Sequence, residues 1–96
     1  MVELLMSNQD KKILELILSK YPYKFYAYGS RVKGTARKYS DLDLCYKGDI
    51  PSYLLIEIKK DFEESNLPFI VELVNWKNMR PTFQKMIKKD LVLISQ

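Results

Sequence analysis

Residues 41–46 read Asp41-Leu42-Asp43-Leu44-Cys45-Tyr46, an alternation with a period of two that suits an extended strand. One face of that strand carries Leu42, Leu44 and Tyr46; the other carries Asp41, Asp43 and Cys45. Residues 69–74 repeat the design, with Phe69, Val71 and Leu73 on one face and Ile70, Glu72 and Val74 on the other. A sheet face bearing three carboxylates is no place for a core, because a buried unpaired charge is too costly. The chain must therefore turn Leu42, Leu44, Tyr46, Val71 and Leu73 toward helices. Asp41, Asp43 and Glu72 are left together on the opposite face, in water or around a cation.

The flanking segments supply those helices. Ser7 is a helix N-cap with Asp10 in the first turn, and Ile13, Leu14, Ile17, Leu18 and Tyr21 follow at helical spacing until Pro22 stops the run. Lys24 to Tyr28 is an aromatic-rich strand ending at Gly29. A short helix from Ser30 to Ala36 and a polar connection from Arg37 to Ser40 lead into the acidic strand. Pro51 suits the first turn of a helix striped by Leu54, Leu55, Ile58 and Phe62. Pro81 opens a last helix with Phe83, Met86 and Ile87 inward, and Leu91 to Ile94 forms a short apolar tail. The order is α-β-α-β-α-β-α, which predicts an α/β (α+β) fold, a small mixed sheet with helices packed on one face. Ninety-six residues make one domain, 1–96, without room for a second lobe.

Composition excludes several classes. There is no histidine, which removes most acid–base and nucleophilic schemes, and Cys45 is the sole cysteine, so no intrachain disulfide forms. Cys45 reads as a small core or sub-surface residue. The apolar runs are too short to span a membrane and Met1 to Met6 is not a signal peptide, so a cytoplasmic location is expected. The net charge of +4 is mild. Lys11-Lys12, Lys59-Lys60 and Lys88-Lys89 are separate pairs on solvated faces, and no aromatic-and-basic array predicts direct nucleic-acid binding.

Two segments carry chemistry. Asp41 and Asp43, two apart on a strand, have Cβ atoms about 6.5–7 Å apart, a span that a hydrated magnesium ion or a pair of ions bridges. The competing reading is a strand edge wetted by solvent. Gly29-Ser30 sits at a strand–turn–helix junction, where backbone N–H groups and a hydroxyl converge on an anion such as phosphate; a plain helix cap is the alternative. Arg31, Lys33 and Arg37 add positive charge, and Arg31 is a candidate phosphate contact. Glu72 is a candidate metal ligand or general base, or else an edge-strand charge in water. Tyr26 and Tyr28 share a face and are placed to border a nucleotide. Asp49, Glu57, Asp61, Glu63 and Glu64 read as solvated turn and helix residues.

Together, Gly29-Ser30-Arg31-Val32-Lys33-Gly34, then Ser40-Asp41-Leu42-Asp43-Leu44, then Val71-Glu72-Leu73-Val74 resemble the minimal nucleotidyltransferase family of the DNA polymerase β-like superfamily, over nearly the whole chain. The resemblance implies a triphosphate held by Gly29 and Ser30, with Arg31 and Ser40 also matching. It implies Mg2+, one or two ions, on Asp41, Asp43 and a third acid on a neighbouring strand. That acid is usually aspartate, so Glu72 departs from the pattern. Small members of this family act as antitoxins to HEPN-domain proteins, in studied pairs by moving AMP from ATP to a tyrosine. The resemblance thus implies a hetero-oligomer with a HEPN-domain protein and an acceptor on another chain. A catalytically weak module that neutralises such a partner by binding is the alternative. A small-molecule antibiotic acceptor fits less well, since no further part of the chain is left to hold it.

Overall fold

The computed structural model describes Leu4, residues 6–34 and residues 40–94. Ala36, Arg37 and Tyr39, assigned above to a helix end, a polar connection and a strand-forming aromatic, lie outside the described residues. Ser7 caps the first helix, α1 (Asn8–Leu18), by accepting a hydrogen bond from the Asp10 amide at 3.1 Å. The helix closes well before Pro22, through a turn at Ser19 and Lys20. The order continues with β1 (Lys24–Tyr28), α2 (Ser30–Lys33), β2 (Leu42–Lys47), α3 (Ser52–Glu63) and β3 (Val71–Asn75). A 3-10 turn (Trp76–Asn78), α4 (Pro81–Ile87), a second 3-10 turn (Lys88–Asp90) and β4 (Val92–Leu93) complete it.

The strands lie in the order β3-β2-β1-β4. The β2–β3 pair is parallel, as a crossover through α3 requires, and the other two pairs are antiparallel. The apolar tail is a fourth strand. Val92 and Leu93 pair with Ala27 and Tyr26, and the Ile94 amide donates to the Phe25 carbonyl at 2.9 Å. Two residues are too few to show an alternation, so the sequence marked only their apolar character.

Helices α1 and α3 cover one face of the sheet. Leu14, Leu18, Phe25, Leu42, Leu44 and Ile58 are fully buried there, and Val71 and Leu73 pack against them. Each such side chain contributes about 1.5–3 kcal/mol of apolar transfer free energy, which makes this layer the main anchor of the fold. The opposite face is not open along its whole length. A second, smaller cluster of Tyr28, Cys45, Met79 and Ile87 closes one end, with Tyr26, Val74 and Trp76 packed on it. Of the residues expected inward on α4, only Ile87 is buried; Met86 is 59% exposed and Phe83 38%. A helix of seven residues turns only one narrow edge to the sheet.

Asp61 is no solvated surface acid. The Tyr21 hydroxyl donates to its carboxylate at 2.5 Å and Lys20 Nζ lies 3.0 Å away, tying the end of α1 to α3. The Tyr21 hydrogen bond, helped by Lys20 and Lys60, holds the Asp61 carboxyl below the usual carboxylate range.

Candidate active site

The strand register assembles the acids in a row. Tyr28 of β1 lies opposite Asp43 of β2, and Asp43 lies opposite Glu72 of β3, so three neighbouring strands present Tyr28, Asp43 and Glu72 side by side on one face. The next row along that face is Tyr26, Cys45 and Val74. Alternation does the sorting: the intervening row, Ala27, Leu44 and Leu73, belongs to the face under the helices. The acids therefore occupy the end of the sheet where β1 runs into Gly29, and the apolar Cys45 cluster adjoins them, sharing Tyr28. Asp41, exposed just before β2, shares the parity of Asp43 and extends the acidic surface.

Gly29 meets this row directly. It has φ +84°, a left-handed value that disfavours any side chain, and a Cβ at this position would stand 2.5 Å from an Asp43 carboxylate oxygen. The turn backbone and the Asp43 carboxylate are thus in contact only because residue 29 has no side chain. Helix α2 then starts at Ser30, with the Val32 and Lys33 amides donating to the Gly29 carbonyl at 3.1 Å. Gly34 ends the turn in a left-handed conformation.

Arg31 is drawn inward. It is 3% exposed, its Nε and one terminal nitrogen donate to the Ser40 carbonyl at 3.0 and 2.7 Å, and its guanidinium lies 4.0 Å from the centre of the Phe69 ring. Burial lowers its pKa from the ordinary value, partly offset by Asp10 and Asp41. Arg31 thereby fixes the backbone immediately before Asp41, and Ser40 enters the site through that carbonyl. The expectation for Arg31 was a phosphate contact; the engagement described is with Ser40 and Phe69.

Electrostatics single out Asp43. Burial raises its pKa, and the neighbouring charges of Asp41 and Glu72 raise it further. Among the described residues no ion pair reaches Asp41, Asp43 or Glu72, and no group of three or more acidic, cysteine or histidine side chains converges as a ready cage for a metal ion. Tyr28 walls the row on the β1 side. Its hydroxyl pKa is pushed up to about 12, first by burial and then by Asp43, Cys45 and Glu72, and the Phe83 ring packs edge-on against it at 5.9 Å. Burial likewise pushes the Cys45 thiol up to about 11, which keeps it unreactive.

Two features escaped the sequence reading. Lys47 Nζ sits 5.0 Å from the ring centres of both Tyr26 and Trp76, a cation held between aromatics at the apolar end of the same face. A trough of about 830 Å³ runs along the outer side of β3, bounded by Phe62, Leu67, Phe69 and Ile70, with Asp41 and Glu72 in its wall. Lys47 shares the parity of Asp43 and Cys45, which was the available signal. The trough depends on how α3 meets β3 and has no local signature.

The family described as nucleotidyltransferase domain matches residues 10–94. A Haemophilus influenzae protein named "Probable protein adenylyltransferase MntA" is 38% identical over 93 residues, covering 93% of this chain and 82% of its own. A crystal structure of a Sulfolobus solfataricus protein described as a nucleotidyltransferase aligns with a TM-score of 0.47 and 24% identity, over 86% of this chain and 73% of that one.

Proposed function

This chain belongs to the nucleotidyltransferase domain family, and on that premise we propose that it moves AMP from ATP to a hydroxyl of a partner protein. The observation that carries the reading is the contact between the Gly29 turn and Asp43, inside the row that Asp43 makes with Glu72. It brings a glycine turn and a carboxylate face to one point. The relative's name, a protein adenylyltransferase, supports AMP and a protein acceptor.

The donor set suits magnesium. Asp41 and Asp43 offer hard carboxylate oxygens, their negative charge has no ion-pair partner among the described residues, and magnesium takes one or two carboxylates with substrate phosphates and water. When bound, the ion supplies charge neutralisation on the triphosphate. The chain's own residues do the rest. Gly29 lets the triphosphate approach the backbone closely, and Ser30 offers a hydroxyl beside it. The acceptor oxygen bonds to the α-phosphorus as the bridging bond to pyrophosphate breaks. Its proton passes to a carboxylate, a role this reading gives to Glu72.

In this reading the partner is a HEPN-domain protein that the chain restrains as an antitoxin, in a hetero-oligomer in the cytoplasm. Incubation with labelled ATP, magnesium and the product of a neighbouring HEPN gene labels that product. Equal labelling by wild type and Asp43→Asn sinks the assignment. The exposed Glu72, one methylene longer than the usual aspartate, favours a second reading in which complex formation alone neutralises the partner. Protection of cells by an Asp41→Asn/Asp43→Asn double variant would select it.

A further inference from the structure

The two edges of the sheet are built differently. β4 is two residues long, a short edge of the kind that discourages unwanted pairing. β3 is five residues long, Val71-Glu72-Leu73-Val74-Asn75, without lysine or proline, and among the described residues no strand pairs with its outer side. The Leu42 amide donates to the Ile70 carbonyl at 2.8 Å. In a parallel ladder this directs the backbone groups of residues 70, 72 and 74 to β2 and those of Val71, Leu73 and Asn75 outward. An unblunted edge of this kind is a template for an added strand.

Resting on the transferase reading, we propose that an extended segment of the acceptor protein docks as a fifth strand on the outer edge of β3 and delivers its hydroxyl from there. Register decides which residue reacts. The residue of the added strand opposite Glu72 falls on the acidic face and extends the row Tyr28–Asp43–Glu72 by one strand spacing, about 4.8 Å. A long hydroxyl side chain, tyrosine above all, leans back from there over Glu72 toward Asp43. The residues on either side of it point to the other face, where the trough of about 830 Å³ offers Phe62, Leu67 and Phe69, with the exposed Lys59 and Glu63 also in its lining. The recognised pattern is therefore apolar–hydroxyl–apolar. Ile70, 65% exposed on the acidic side, supplies a further apolar contact beside the hydroxyl. A second copy of this chain fits the edge less well, since it would bring a second Glu72 beside Asp41 and Asp43 without a cation to offset it.

The test uses two soluble synthetic peptides of lysine and threonine, one with a central Val-Tyr-Val and one with Lys-Tyr-Lys, with labelled ATP and magnesium. The Val-Tyr-Val peptide is labelled with a kcat/KM about tenfold or more above the other, and it slows amide hydrogen exchange at Val71 and Leu73. Ile70→Ala, which adds no charge beside Asp41, raises KM for the Val-Tyr-Val peptide about tenfold and changes kcat less. Equal labelling of the two peptides, or labelling without protection of Val71 and Leu73, overturns the docking mode and leaves the transferase reading standing. Protection of both amides by Val-Tyr-Val with no label incorporated supports the docking mode and removes the transferase reading. Protection already present in peptide-free protein that sediments as a dimer overturns the proposal in favour of a second copy.

Discussion

The two faces of the sheet solve opposite problems with the same strands. Under α1 and α3, Leu42 and Leu44 are fully buried in an apolar cluster. On the other face Asp43, the residue between them, is partly buried beside the exposed Asp41 and Glu72, and burial raises the cost of its charge. One face holds the fold together; the other is tolerated by it. Two carboxylates show the same contrast. Asp61 has Tyr21 and Lys20 and is held low, whereas Asp43 is held high by burial and then by Asp41 and Glu72.

The sharpest way to break the comparison is Asp43→Asn. Transfer activity falls by about three orders of magnitude or more, measured with labelled ATP. The same variant melts about 2–6 °C higher at neutral pH. The sign follows from the raised pKa: a carboxyl raised on folding favours the native state below its unfolded pKa, and that contribution is lost as pH rises through the folded value. A neutral amide removes the penalty. A melting temperature lower than wild type would mean that the acidic face stabilises the fold. On the helix-covered face, Leu44→Ala lowers unfolding free energy by about 2–5 kcal/mol in urea titrations.

Gly29→Ala joins the two faces' demands at one atom. Its Cβ would collide with the Asp43 carboxylate at a positive φ, so stability falls by about 1–3 kcal/mol and transfer is lost with it. The smallest effect is that of Asp61→Asn, about 1 kcal/mol at neutral pH. The wild-type contribution is present above the unfolded carboxylate pKa and lost as pH falls through the lower folded value. Urea titrations of both proteins therefore converge in acid.

The alternation of residues 41–46 and 69–74 made the strand faces legible, because a period of two survives in six residues. Ser7, Pro81 and the stripe of α3 were equally plain, being local signals of capping and periodicity. Asp61 was not legible, since its partner Tyr21 is forty residues distant in the chain. Nor was the inward turn of Arg31, which depends on Phe69 arriving from the far side of α3. β4 was hidden by its brevity. The sequence pattern marks which face a side chain takes; what that side chain meets is decided by elements remote in the chain.

Cys45, the chain's one thiol, is fully buried at the middle of β2 between Tyr26 and Val74. A thiol-reactive dye can reach it only when the sheet parts, so the rate of dye uptake clocks that opening in unmodified protein. Substitutions, nucleotides and partner peptides can all be ranked by how far they slow that clock, with no reporter engineered in.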